Sequence, residues 1–195
     1  DKTATTFQAK IDVDLDFQDL IHFFPKHSNQ IEGVAEVRLE THGSVKGITG
    51  QLGIHLPFAK LNELIVEEFT TYARFSEKQL LLREISGKMA GGVLNGHAEI
   101  KKAYPESDIS YKGEIELLKA KAEDFFPAIY DLTRIVIATG QVNTKVKFSG
   151  NSLDLDECKI DGQLTYTDAQ LNKIPISTSE LNWTIREDQL QARAN

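Results

Sequence analysis

Apolar and polar residues alternate with a period of two along most of this chain. In FQAKIDVDL, Phe7, Ala9, Ile11, Val13 and Leu15 alternate with Gln8, Lys10, Asp12 and Asp14, the signature of a strand with one dry and one wet face. The same spacing aligns Ile48, Gly50, Leu52, Ile54 and Leu56, and then Ile109, Tyr111, Gly113 and Ile115. It returns with Val142, Thr144, Val146 and Phe148, with Ile160, Gly162, Leu164 and Tyr166, and with Leu181, Trp183 and Ile185. Helical spacing occurs in two places. LDFQDLIHFFPKH sets Phe17, Leu20, Ile21 and Phe24 on one stripe behind Asp16 as N-cap, and Pro25 stops it. KAKAEDFFPAIYDL offers Ala120, Ala122, Phe125, Phe126, Ile129 and Leu132, with Pro127 either kinking the helix or opening a new first turn. The pattern predicts a mainly β chain with two short helices.

The stretch LLREISGKMAGGVLNGHAEI, residues 81–100, concentrates glycines where two strands meet, which suits a positive-φ turn or a bulge. A phosphate-cradling loop fits poorly. Gly91 and Gly96 have its spacing, but His97 follows where Lys is needed, and no helical pattern comes after.

Several landmarks recur in the same order. Phe23-Phe24-Pro25 is matched by Phe125-Phe126-Pro127, and the pair Gly33 and Gly43 by Gly140 and Gly150. Gly50-Gln51-Leu52 is matched by Gly162-Gln163-Leu164, and FSEKQL from Phe75 by IREDQL from Ile185. This collinearity predicts two β repeats, 1–105 and 106–195, the second cut short after QARAN. Together with Asp1 at the start, it suggests one continuous unit excised from a longer protein.

Composition narrows the chemistry. Hydrophobic residues make up 41% of 195, enough for a real core, and the net charge of −7 argues against a nucleic-acid partner. The single cysteine, Cys158, allows no intrachain disulfide, and its acidic neighbours in LDECKID oppose thiolate formation. His22, His27, His42, His55 and His97 lack metal-ligand spacing. Asp12, Asp14 and Asp16 read as a solvated strand face, since neither the glycine nor the terminal glutamate of a calcium loop follows. No nucleophile elbow is present. The expectation is a non-enzyme with no cofactor and no metal site.

One-sided strands must cover their apolar face with a second sheet, a helix, a partner or a ligand. Periodicity alone leaves open a β-sandwich, a closed barrel, or a curled antiparallel sheet forming an open, taco-like apolar groove. The dry-face residues that would line such a groove are Ile48, Leu52, Ile54, Leu80, Leu82, Leu94, Ile109, Ile115, Val142, Val146, Phe148 and Leu164. A bulge at any glycine would flip the face beyond it.

The amphipathic segment with FFP, the glycine-opened strands EGVAEVRLETHG and TGQVNTKVKFSG, and the Gly91-Gly92 turn leading into Gly96, Ala98 and Ile100 resemble the AsmA/TamB-like superfamily of bacterial envelope proteins. That resemblance implies a segment of a bridge anchored in the inner membrane and crossing the periplasm. Its groove would carry phospholipid or another acyl-chain lipid toward the outer membrane in support of outer-membrane biogenesis, with an outer-membrane barrel protein as a further partner. The anchor would lie outside this segment. Two alternatives remain on the sequence: an assembly scaffold that binds proteins by strand addition, and a closed barrel holding one small hydrophobic ligand.

Overall fold

The computed structural model describes residues 6–16, 31–44, 47–61, 64–102, 109–129, 138–151, 158–177, 179–186 and 189–194. In chain order these form β1 (Thr6–Asp16), β2 (Ile31–Ser44), β3 (Gly47–Leu61), β4 (Leu64–Ser76), β5 (Gln79–Met89), β6 (Gly92–Lys102), β7 (Ile109–Lys121), α1 (Ala122–Ile129), β8 (Ala138–Gly150), β9 (Lys159–Leu171), β10 (Ile174–Pro175), β11 (Ser179–Arg186) and β12 (Gln189–Ala194). The strands make one antiparallel sheet in the order β1-β2-β3-β4-β5-β6-β7-β8-β9-β11-β12, with β10 beside β9.

The sheet is open. β1 and β12 stand at opposite ends of the path and do not pair, and no second sheet lies against the first among the described residues. The sandwich and closed-barrel alternatives are thereby corrected. Apart from β11, which passes the short β10 to pair with β9, the strands pair in chain order, so among the described residues there is no long return connection of the kind a Greek-key sandwich needs. Ten strand spacings of about 4.8 Å separate the two edges by roughly 48 Å along the sheet.

One helix is present among the described residues where two were expected. The second expected segment forms α1, which runs through Pro127 to Ile129. Most of the first, Phe17–Phe24, lies outside the described residues, and Asp16, expected as its cap, closes β1. Glu123 and Asp124 occupy the first turn of α1, where carboxylates complement the positive end of the helix dipole. The helix lies against β4, β7 and β8. Phe125 is buried beneath it, and Phe126 packs edge-on to both Phe125 and Tyr166 at centroid distances of 5.6 Å. Ala120, Ala122, Ala138 and Ala169 are buried in the same cluster, their small side chains leaving room for the rings.

Register carries the alternation across the whole sheet. One cross-strand row runs Ile11, Leu39, Leu52, Ala73, Leu82, Ala98, Gly113, Phe148, Ile160, Ile185, Leu190 without a polar residue. The next row runs Val13, Val37, Ile54, Thr71, Ile85, Gly96, Ile115, Val146, Gly162, Trp183, Ala192. Register shifts keep the rows aligned. One between Leu82 and Ile85 puts both of those residues on the apolar side, three apart instead of two. In the strands α1 touches, shifts fall in β4 between Glu67 and Thr70 and in β7 between Leu117 and Ala120, and a further one falls in β2 between Gly33 and Glu36. Glu68 and Lys119, inside two of them, take φ values of 51° and 56°. The Lys119 N–H, displaced from the ladder, donates to Asn143 Oδ1 at 2.8 Å.

The glycine-rich stretch is a two-residue hairpin. Ala90 and Gly91 have φ of 50° and 71°, the doubly positive geometry of a type I′ turn, and β6 follows directly. That is a strand-to-strand connection and not a phosphate loop.

Other glycines serve as seats for aromatic rings on the opposite strand. A methyl group built at Gly43 would overlap Phe7, at Gly50 Phe75, at Gly113 Phe148, at Gly150 Tyr111, and at Gly162 Trp183. Trp183 lies across from Gly162 in the β9–β11 ladder. Gly162→Val is expected to expel the indole and lower stability by about 1–3 kcal/mol. Because Trp183 is the only tryptophan, the same variant should shift its emission to longer wavelength; unchanged emission and melting temperature would show that the ring does not rest there.

Candidate functional site

The twelve dry-face residues read from the sequence lie on one side of the sheet. The registers place Leu52, Leu82 and Phe148 in one row and Ile54, Ile115 and Val146 in the next. Leu80 pairs with Ile100, Leu94 with Leu117, Val142 with Tyr166, and Leu164 with Leu181, all in neighbouring rows of the same side. Ile48 and Ile109 stand at the end of the sheet away from α1, opposite Gly43 and Lys102.

These residues are not equally accessible. Val142 is fully buried at the α1 end, together with Leu117. Ile48, like Phe7, Ile11 and Leu190, is an exposed large apolar side chain. Most of the others are half-buried. The apolar side is therefore a packed floor under α1 that becomes an accessible surface toward β1, β12 and the far strand ends. The sequence reading missed Leu39, Ile85 and Leu117 as members of this face, and placed Tyr166 and Trp183 on apolar strand faces without counting them among the lining residues. Tyr166 and Trp183 carried the period-two signal, whereas Ile85 was hidden by the register shift after Leu82.

Two buried hydroxyl groups on the apolar side are placed differently. The Tyr166 hydroxyl donates to the backbone carbonyls of Thr139 at 2.6 Å and Gln170 at 3.2 Å, and burial raises its pKa above the ordinary 10.0. Thr71 is 4% exposed, and its hydroxyl finds no hydrogen-bond partner among the described residues.

The opposite side carries the charges. Arg38 Nε donates to Asp12 Oδ1 at 2.8 Å, and Lys145 meets Glu114 at 2.7 Å with Lys147 at 3.8 Å. Lys101 and Lys112 flank Glu99 at 3.1 and 3.4 Å, and Lys159 pairs with Asp161 at 2.8 Å. Each of these carboxyls is held below its ordinary value, 3.8 for aspartate and 4.5 for glutamate, first by a hydrogen bond: from Arg38 to Asp12, Lys101 to Glu99, Lys145 to Glu114 and Lys159 to Asp161. Asp12 and Asp14 share this wet side, paired with Arg38 and Glu36 across the β1–β2 ladder. Among the described residues no group of three His, Cys, Asp or Glu side chains could hold a metal ion, and no helix is long and apolar enough to cross a membrane.

A sheet with one charged and one apolar side is an amphipathic surface that can orient on a greasy ligand. The chain matches no protein-family model, no curated protein and no solved structure.

Two expectations test this division of the faces. Thr71→Val, which replaces an unsatisfied hydroxyl with a methyl of the same shape, should raise stability by about 0.5–1 kcal/mol in urea denaturation. Since the carboxyl pKa values fall on folding, the unfolded chain binds more protons once the pH drops toward 4.5 and 3.8. The urea midpoint should accordingly be flat above about pH 5 and decline below it. High salt should shrink the decline, because exposed pairs are screened.

Proposed function

We propose that the apolar side of this sheet holds acyl chains, and that the protein is a lipid-carrying segment of the AsmA/TamB-like kind. The observation that carries this reading is the unbroken apolar row from Ile11 to Leu190. It crosses eleven strands with only α1 laid over one end among the described residues. A globular core would hide such a row under a second layer. Here Ile11 and Leu190 at its two ends are 51% and 64% exposed.

In this reading the sheet curls into a trough. Each methylene laid in the trough gains about 0.8 kcal/mol by leaving water. The headgroup remains outside, and the ion-paired side of the sheet faces the aqueous space. A path of roughly 48 Å exceeds the ~30 Å hydrocarbon core of one leaflet pair, so several lipids fit end to end. Transport down such a trough needs no catalyst. The order β1, FFP segment, β2 is parallel to β7, α1 with its FFP, β8, and Gly33 and Gly140 share positive φ values of 141° and 131°, which supports a two-repeat unit. The corresponding site of action is the periplasm, in a parent protein anchored in the inner membrane and delivering lipid toward the outer membrane.

Native mass spectrometry of the purified chain tests the reading. Co-purifying phospholipid is the expected result; bare protein would argue against a lipid conduit, and one defined small molecule would favour a single-ligand pocket. Leu52→Glu or Val146→Glu should abolish photo-crosslinking to a diazirine-bearing phospholipid. Glu116→Gln on the charged side should not, and undiminished labelling of both glutamate variants would remove the apolar side as the lipid seat.

A further inference from the structure

We infer that the charged side of the sheet binds a phosphate group, in a basin at the end away from α1 where Lys112, Lys159 and Arg186 gather around Ser149. The two rows inward of this basin alternate in charge across β7, β8 and β9. Glu114 faces Lys147, which faces Asp161, and Glu116 faces Lys145. The next row, Glu99, Lys112, Ser149, Lys159, departs from that alternation. Two lysines flank one uncharged serine, and Arg186, which follows Ile185 opposite Ile160, adds a third cation on β11. Like charges brought together across a ladder repel. The member that would complete this row is an anion.

Local ion pairs do not use up the cations. Lys101 and Lys112 share one carboxylate, Glu99, at 3.1 and 3.4 Å. Lys159 contacts Asp161 at 2.8 Å, and Arg186 has no carboxylate at ion-pairing distance among the described residues. Four cations therefore share two carboxylates, in a chain whose net charge is −7. A phosphate monoester carries about −1.5 to −2 at pH 7 and matches that surplus, whereas a carboxylate would neutralise only half of it.

Space and donors accompany the charge. The four cations, Glu99 and Ser149 line an open basin of about 740 Å³. Ser149 has the shortest side chain of its row, so the surface dips between two lysines that stand two strand spacings, about 10 Å, apart at the backbone. Flexible ammonium stems reach a tetrahedral anion from both flanks, the Ser149 hydroxyl donates from below, and the Arg186 guanidinium offers two parallel N–H donors. Lys112, Ser149 and Lys159 all belong to paired ladders, so their row does not rest on the connections beyond the strand ends. The basin lies on the opposite side of the sheet from the proposed lipid seat, and either can fail without the other.

Isothermal titration calorimetry with inorganic phosphate at constant ionic strength should show a saturable site. Lys159→Gln and Arg186→Gln should each weaken binding about tenfold, the loss of one charge-assisted hydrogen bond. Glu99→Gln, which releases Lys101 and Lys112, should tighten it, and Lys147→Gln in the alternating row should leave it unchanged. Flotation with phosphatidylcholine vesicles, with and without phosphatidic acid, separates two sources of the phosphate. Capture by phosphatidic acid that Arg186→Gln abolishes assigns a lipid headgroup; phosphate binding without vesicle capture assigns a soluble phosphate compound. Absence of both, undiminished binding in the Lys159 and Arg186 variants, or an equal loss in Lys147→Gln would overturn the site. Binding that emerges only with Asp154→Asn, Asp156→Asn and Glu157→Gln would overturn it too, because the cations would then serve the chain's own carboxylates.

Discussion

The cross-strand register is the constraint on which the rest of this structure depends. Side chains on a strand alternate strictly, so one residue of slip in any of ten successive pairings would turn the remaining strands inside out. Instead, apolar positions meet apolar positions from Ile11 to Leu190. The two-sided character of the sheet is the sum of these local matches, and the proposed lipid seat is its consequence.

Irregularities serve the same end. Where a strand gains a residue, as after Leu82 or Leu117, the register shift restores the next apolar residue to the shared side. Several shifts gather where α1 rests, and positive φ at Glu68 and Lys119 marks two of them. Extra twist at bulges lets a sheet bend around a covering element, and the buried alanines below α1 leave space for Phe125 and Phe126. One end of the sheet is consequently packed and dry, while large apolar side chains such as Ile48 and Phe7 stay exposed toward the other end among the described residues.

Charge and glycine complete the division. On the wet side, opposite charges face each other across Asp12 and Arg38 and across Glu114 and Lys145, which favours the native register over its neighbours more than it adds stability. On the dry side, aromatic rings occupy the space that a side chain would take at a facing glycine, as Trp183 does at Gly162. This fills the surface without raising bulky side chains into the space that an acyl chain would use.

Much of this was legible in the sequence, because strand periodicity is local. The alternation in FQAKIDVDL or around Val142 named the dry side, and all twelve residues selected by it share that side. Ile85 escaped because a bulge is set by the partner strand, and the aromatic seats on glycine escaped because they join residues far apart in the chain. Periodicity likewise could not choose between sandwich, barrel and open sheet, since all three present one dry face per strand. Only the tertiary structure decided that the strands pair in chain order, with β11 stepping past the two-residue β10 onto β9, and that β1 and β12 do not pair. Side-chain alternation is written residue by residue, whereas closure depends on where the first and last strands finish after every twist and bulge between them has accumulated.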